Sequence, residues 1–377
     1  MTSKASPNLG LLFDCSKCEI HSACGGSDTG PCGCVFLGTP RAYDCNACPL
    51  HCRARRVPPN ESTFLDEVAA GRPLEVVLPN DREPPELPLV IPTLCDRLDT
   101  GTRLKASWIG VQLVSLVTMR KDGSSEPKQW LSRNGLSNAQ RVVSSANAIA
   151  LLHGDDRLLR GFWGMDRLHF YQLLEQAGIR VVTAPPFSVY DDGPRWPASE
   201  SVMMLLRHNR VLDELYRAGF VAIPNLFWRS LQDQKNWISW LADHPHVTVL
   251  NRDFSCTPQP QSYAAELNDL TKIISAVGRR MHVVLQGVSD GKAAQTLEVL
   301  KSVGVTCSFV TGHPVLLGRG GRELKLSRDN RLVPRKNRDL GLGELCIRNL
   351  QTFERWVLDS VAKTELYCHR DWSNLTG

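Results

Sequence analysis

The sequence contains no long apolar run. No stretch approaches the roughly 18 consecutive apolar residues of a membrane-spanning helix, so neither a transmembrane protein nor a membrane partner is expected. The first ten residues also lack the basic segment and the apolar core of a secretory signal. Because no export route is visible, we expect the chain to work in the cytoplasm, where disulfides rarely persist.

Two common cofactor signatures are missing as well. No Gly-x-Gly-x-x-Gly fingerprint follows an early apolar run, which weakens a doubly wound dinucleotide-binding fold. The Cys-x3-Cys-x2-Cys motif of radical-SAM enzymes is absent, because the nearest pattern, Cys45-x2-Cys48-x3-Cys52, has the reverse order. The net charge of +5 is only mildly basic, so it is compatible with an anionic partner without requiring one.

What the chain has in excess is cysteine near its N-terminus. Eight of its 13 cysteines fall within the first 52 residues: Cys15, Cys18, Cys24, Cys32, Cys34, Cys45, Cys48 and Cys52. Such a cluster is either a disulfide framework or a metal or iron–sulfur site, and a reducing compartment disfavours disulfides. We therefore predict that these thiolates hold a 4Fe–4S cluster, with zinc as an alternative or an additional metal.

The composition changes along the chain and predicts four segments. Residues 1–60 are rich in Cys, Gly and Pro and need a metal or a host domain to fold. Residues 61–87 are expected to be a connector, because their second half is dense in proline and charge. Residues 88–342 show regular strand and helix patterns, and residues 343–377 are expected to form a C-terminal helix and a tail.

Short apolar runs alternate with amphipathic stretches from residue 88 onward. Strands are predicted at 89–94, 109–117, 148–152, 181–184, 221–224, 247–250, 282–285 and 306–310. Helices are predicted at 137–147, 157–178, 199–218, 230–243, 261–278, 291–303 and 344–361. This alternation implies an α/β fold with parallel strands, and eight strands favour a (β/α)8 TIM-like barrel. A doubly wound open sheet is the alternative.

Polar residues gather just after the predicted strands, where the functional residues of a barrel lie. The candidate catalytic residues are Asp155, Asp156, Tyr190 and Asp191. The candidate substrate-binding residues are Ser188, Asn225, Trp228, Arg229, Asn251, Arg252, Gln286, His313 and Arg319. His153 and Asp253 also follow strands. A helix cap is the other interpretation of Asp155 or Asp156, and a surface turn that of the glycine-rich segment 318–321 around Arg319.

Two resemblances add to these patterns. The segment Cys45-Asn-Ala-Cys48-Pro-Leu-His-Cys52-Arg resembles the cluster-binding segment of iron–sulfur uracil-DNA glycosylases, which implies cluster ligation but no shared activity. Five further motifs resemble an uncharacterised domain family of bacterial and phage genomes, which implies a barrel-like fold. They are Leu-Val-Ile-Pro at 89–92, His153-Gly-Asp-Asp…Trp163, Phe187-Ser-Val-Tyr190, Asn209-Arg210 and Ile223-Pro…Trp228.

Three functions remain open from the sequence. The first is a metal- or iron–sulfur-containing barrel enzyme that acts on DNA, RNA or a nucleotide, by base modification, glycosidic exchange or hydrolysis. The second is an iron–sulfur redox enzyme with a small substrate, which the cysteine count favours. The third is a non-catalytic nucleic-acid-binding or scaffold protein, which the basic stretches at 53–56 and 331–338 favour.

Overall fold

The structure is a computed structural model of the full chain. It describes residues 76–78, 82–93, 106–133, 147–189, 198–228, 231–257, 259–329 and 331–373. The eight N-terminal cysteines and the helix predicted at 137–147 lie outside the described residues, apart from Asn147, which begins a strand.

The chain divides into two units. One comprises Met1–Val77, Phe187–Glu214 and Phe227–Asp233. In that unit the side chains of Arg207 and His208 are buried, and the His208 ring meets the edge of the Phe227 ring at a centroid distance of 5.1 Å. Burial lowers the pKa of His208 to about 4, so this histidine is neutral and part of the packing. The other unit comprises Leu78–Pro186, Leu215–Leu226 and Gln234–Gly377.

All eight predicted strands are present and form two four-stranded parallel sheets, although the strand predicted at 109–117 ends at Gln112 and a helix, Leu113–Leu116, follows it. The strands of the first sheet, in spatial order, are β1 (Val90–Pro92), β10 (Thr306–Thr311), β9 (His282–Gln286) and β8 (Val249–Asp253). Those of the second are β2 (Trp108–Gln112), β5 (Asn147–Leu151), β6 (Val181–Thr183) and β7 (Val221–Ile223). The predicted α/β class with parallel strands is therefore confirmed.

Helices connect most of these strands. They are α1 (Leu113–Leu116), α2 (Gln129–Arg133), α3 (Asp156–Gly164), α4 (Arg167–Gln176), α5 (Ala198–Arg217), α6 (Leu231–Asp243), α7 (Pro260–Val277), α8 (Asp290–Ser302), α9 (His313–Arg319) and α10 (Leu342–Ser373). The single helix predicted at 157–178 is wrong in one respect. It is two helices, because the carboxylate of Asp166 accepts a hydrogen bond from the backbone N–H of His169 (3.1 Å) and starts α4 anew.

Edge strands of the two sheets also meet at single residues. Isolated parallel bridges join Thr93 to Gly110 and Asn225 to Asn251. One buried apolar cluster collects side chains from all eight parallel strands: Ile91, Trp108, Ile149, Leu151, Val181, Ile223, Val249, Val284 and Val310. A Cβ at Gly110 would lie 2.8 Å from Cδ1 of Leu151, so a larger residue there would require the Leu151 side chain to shift. The two sheets therefore share one core.

Two antiparallel ribbons were not predicted. The first pairs β3 (Val117–Met119) with β4 (Ser125–Pro127), and the second pairs β11 (Arg322–Leu326) with β12 (Leu332–Lys336). Buried Asn349 of α10 holds the second ribbon in place. Its Oδ1 accepts from the Leu324 N–H (2.6 Å), and its Nδ2 donates to the Arg322 carbonyl (2.9 Å). The ribbon is therefore fastened to the core.

The segment predicted as a connector has no helix or strand where the structure describes it, at residues 76–78 and 82–87. The Arg82 guanidinium donates to the carbonyl oxygens of Tyr216 (2.6 Å) and Phe220 (2.9 Å). It also lies over the Tyr216 ring, 4.7 Å from its centroid. The first of these carbonyls belongs to the last turn of α5, where helical carbonyls lack their usual partner, and the second to the residue just before β7.

Candidate functional site

Polar side chains replace apolar ones where the parallel strands end. Side chains two residues apart on a strand share a face. The face that holds Ile91, Val181 and Val249 in the apolar cluster therefore continues into Thr93, Thr183 and Asn251. We call the group at this level the polar layer, and it consists of Thr93, His153, Thr183, Asn225, Asn251, Asp253 and Gln286.

Three amides of the polar layer form a hydrogen-bonded row. Gln286 Nε2 donates to Asn251 Oδ1 (2.9 Å), and Asn251 Nδ2 donates to Asn225 Oδ1 (2.5 Å). All three side chains are buried, with exposed fractions of 3%, 0% and 1%. The structure thus brings together three of the predicted substrate-binding residues on neighbouring strands. Among the described residues, no donor is paired with Gln286 Oε1, which ends the row.

The two ionisable residues of the polar layer, His153 and Asp253, are in contact. Nδ1 of His153, which follows β5, lies 2.6 Å from Oδ2 of Asp253, the last residue of β8. The exposed fractions of the two side chains are 24% and 12%. The contact is an ion pair, although the ring N–H does not point along the line of a well-aligned hydrogen bond. It leaves Nε2 on the far side of the imidazole.

The pair shifts the pKa of both its members. Burial lowers the pKa of His153, but the contact with the Asp253 carboxylate and its negative charge outweigh burial, and the pKa is raised. Burial raises the pKa of Asp253, but His153 and two hydrogen bonds from Ser255 outweigh it, and the pKa is lowered. The arrangement therefore favours imidazolium beside carboxylate, which is a proton donor held in a fixed position.

Cys256 lies close enough to Asp253 and Asp156 for their charges to affect its pKa. Partial burial raises the pKa of the Cys256 thiol, and the negative charges of Asp253 and Asp156 raise it further. The thiol is therefore protonated at neutral pH and a poor nucleophile. The effect of Asp156 on Cys256 indicates that this predicted catalytic residue lies near Cys256, three residues beyond Asp253 at the rim of the polar layer.

Arg252 points to the other face of β8. Its guanidinium donates to the Leu226 carbonyl oxygen (2.7 Å), forms an ion pair with Glu266 and lies over the Phe254 ring. Burial lowers its pKa to about 10, so it stays charged at neutral pH. These contacts make Arg252 part of the packing of the fold. Its predicted role in substrate binding stays a prediction.

The other predicted residues lie at several places. Asp155 caps α3, because its Oδ1 accepts from the Leu158 N–H (2.8 Å). His313, at the start of α9, has its Nδ1 2.6 Å from Oδ2 of Asp290, and Arg319 ends the same helix. Ser188 and Trp228 belong to the smaller of the two units, which contains Phe187–Glu214 and Phe227–Asp233. Tyr190, Asp191, Arg229 and the eight cysteines lie outside the described residues.

The sequence contained a signal for the His153–Asp253 pair, but it was not strong enough to select the two residues. Both follow apolar strands, and both continue the buried face of their strand, after Leu151 and Val249. Alternation alone could have placed both on the buried face of their strands. It could not show that two strands so far apart in the chain bring these side chains into contact.

We expect the ion pair to stabilise the fold most between about pH 4 and pH 6.5. The raised pKa of His153 contributes stability fully below its ordinary value of 6.5, and this is lost as the pH rises through the raised value. The lowered pKa of Asp253 contributes above its ordinary value of 3.8, and this is lost as the pH falls through the lowered value. Both contributions are present between those values.

The measurement is urea unfolding of the wild type and of the double variant His153→Gln/Asp253→Asn across this pH range. The free energy of unfolding should differ by about 1–3 kcal/mol near pH 5 and by less above pH 8. A difference that does not change with pH would show that the charges contribute nothing.

No family model, no curated protein and no solved structure matches this chain. None of the helices in the described part of the chain is long and apolar enough to cross a membrane. Within the same residues, no group of three or more His, Cys, Asp or Glu side chains is arranged to hold a metal ion. The geometry of the polar layer is therefore the basis for assigning a function.

Proposed function

We propose that this chain is a barrel enzyme that breaks or exchanges the N-glycosidic bond of a nucleobase in a nucleic acid or nucleotide, with His153 as its general acid. The observation that carries the proposal is the ion pair between His153 and Asp253 at the carboxyl ends of parallel strands. Functional residues of α/β folds gather at this end of the strands.

The barrel is part of the proposal. It is supported by the two isolated bridges, which connect both edges of one sheet to both edges of the other, and by the apolar cluster with members from all eight parallel strands. The resemblance to the bacterial and phage domain family implies a barrel-like fold as well. A crystal structure tests it. Continuous hydrogen bonding between β1 and β2 and between β7 and β8 is expected, whereas a doubly wound sheet would leave two open edges.

The proposed chemistry follows from the charge state of the pair. Imidazolium at His153 donates the proton on Nε2 to the departing nucleobase as the N-glycosidic bond breaks, and water or an incoming base bonds to the sugar carbon. Asp253 holds the ring in place and stabilises its positive charge before the transfer. Asp156, at the rim, is the candidate to accept a proton from the attacking water.

The amide row supports a nucleobase as the group that is recognised. Asn and Gln side chains present a donor and an acceptor in one plane, which matches the edge of a base. The row is fixed from Asn225 to Gln286 by its own hydrogen bonds, so a base does not have to order it. Gln286 Oε1, at the end of the row, is the atom that would accept from a base N–H.

We also propose that the eight N-terminal cysteines bind a 4Fe–4S cluster, with zinc as the alternative, in a cytoplasmic protein. This rests on their number and spacing. Anaerobic purification followed by iron, sulfide and zinc analysis tests it. Iron and sulfide in equal amounts, with an absorbance band near about 400 nm, are expected for the cluster. A colourless protein with one or two zinc ions would leave a structural metal site instead.

The catalytic proposal is tested by incubating the full, anaerobically purified chain with radiolabelled nucleosides, nucleotides and DNA or RNA oligonucleotides. Release of a free base, or incorporation of a labelled one, is followed by chromatography. The proposal requires one of these products with at least one substrate, and its rate of formation must fall at least about 100-fold with His153→Gln. A product that forms equally with this variant would assign the activity to a contaminant or to another site.

A further inference from the structure

The ribbon of β11 and β12 carries an unusual concentration of positive charge. Residues 319–338 contain eight Arg and Lys against two acidic residues, although the whole chain has a net charge of only +5. Seven of these cations form no ion pair with a carboxylate of the described residues: Arg319, Arg322, Arg328, Arg331, Arg335, Lys336 and Arg338. All but Arg319 are exposed.

The two acidic residues do not balance this charge. Glu323 is buried, accepts a hydrogen bond from Asn337 Nδ2 (2.8 Å) and pairs with Lys325 (3.2 Å). Its charge is therefore already matched by the eighth cation of the segment. Asp329 is a single exposed carboxylate in the turn between the strands. The ribbon and its turn are left with a surplus of exposed positive charge, with Arg322 and Lys336 on one face and Arg335 on the other.

The register of the ribbon places like charges opposite each other. Arg322 and Lys336 are direct cross-strand partners, and both are exposed. Like charges in this position destabilise a two-stranded ribbon. In the ribbon of β3 and β4, by contrast, the cation is neutralised, because Arg120, which follows β3, forms an ion pair with Glu126. A bound anion between Arg322 and Lys336 would turn the repulsion into attraction.

We propose that this ribbon is a docking surface for the sugar–phosphate backbone of a nucleic-acid duplex. A two-stranded ribbon fits the major groove, and cations on both faces of the ribbon can pair with the phosphates on either side of the groove. The Asn349 contacts fix the ribbon before binding, so little ordering is needed. The inference rests on the proposed function, since it takes the substrate to be a polymer that the ribbon delivers to the polar layer.

The test is the binding of the full chain to a fluorescein-labelled DNA duplex of about 20 base pairs, by anisotropy, over a range of salt concentrations. The test variant is Arg322→Gln/Arg335→Gln/Lys336→Gln. The control is Lys121→Gln/Lys235→Gln/Arg280→Gln, which removes the same charge from exposed positions elsewhere. Thermal unfolding by circular dichroism verifies that both variants fold.

The wild type should bind with an affinity that falls steeply with salt. The ribbon variant should lose at least about tenfold in affinity at 0.1 M salt, and its salt dependence should fall by about two to three phosphate contacts. The control should stay within about twofold of the wild type. Absence of binding by the wild type, or an equal loss in both variants, overturns the proposal. So does a ribbon variant that binds DNA normally but no longer binds phosphatidylserine vesicles.

These experiments distinguish failure of the docking surface from failure of the catalytic proposal. His153→Gln should bind the duplex as the wild type does, because the ribbon does not include the polar layer. An inactive wild type that binds DNA through the ribbon would contradict the catalytic proposal alone. A wild type that releases bases from free nucleotides but binds no duplex would contradict the docking surface alone.

Discussion

His153→Gln should lower the rate of base release or exchange by about 10²–10⁴-fold, the range for loss of a general acid. Gln has similar size and polarity but cannot donate a proton at neutral pH, so the fold should persist while the proton transfer is lost. The rate is measured under saturating substrate, and folding by circular dichroism. His169→Gln is the matched control, because the His169 side chain is exposed and makes no hydrogen bond or ion pair with any residue that the structure describes.

The pH profile separates a general acid from a merely structural histidine. Asp253 raises the pKa of His153, so Asp253→Asn should move the alkaline limb of the activity profile to lower pH. It should also slow the reaction near neutral pH, because less of the imidazole is protonated. An alkaline limb that stays in place in Asp253→Asn would contradict the assignment of His153 as the acid.

Gly318→Ala should destabilise the fold by about 3 kcal/mol, because α9 and α10 cross at this residue without space for a side chain. A Cβ on Gly318 would lie 2.6 Å from the backbone nitrogen of Cys346, 2.7 Å from its Sγ and 2.8 Å from its Cα. Gly318 and Cys346 are both buried. Relief of the clash requires one helix to move away from the other, at the cost of contacts in the core.

The measurement is the free energy of unfolding in urea, with Gly320→Ala as the control. A Cβ at Gly320 would have its nearest neighbours at 3.4 Å, so that variant should change stability by less than about 0.5 kcal/mol. The double variant Gly318→Ala/Cys346→Ala tests the cause. It removes the thiol but not the backbone of α10, so it should remain destabilised. Full recovery in the double variant would assign the clash to the thiol alone.

This close approach also explains a glycine-rich segment that allowed two interpretations from the sequence. Gly318 is needed for the helix crossing, and Gly321 has a φ of 66° where the chain turns into β11. The positive charge of this region belongs to the ribbon that follows.

The parallel strands could be predicted because their signal is local. A short run of β-branched and aliphatic residues between turn residues indicates a buried strand wherever it lies in the chain. The ribbon of β11 and β12 has no such signal, since its strands are largely charged and β12 contains Pro334. It is held by the contacts of Asn349 with Leu324 and Arg322, which only the packing of α10 creates.

The candidate site, too, could be predicted from the sequence only in part. The sequence by itself determined that polar residues follow apolar strands, because strand ends and side-chain alternation depend on neighbouring residues. Only the tertiary structure decided that His153 meets Asp253, that Asn225, Asn251 and Gln286 form a row, and that Arg252 turns to the opposite face. These relations depend on which strands lie side by side. Strand order is set by the burial of a whole set of side chains in one shared core, which no single segment encodes.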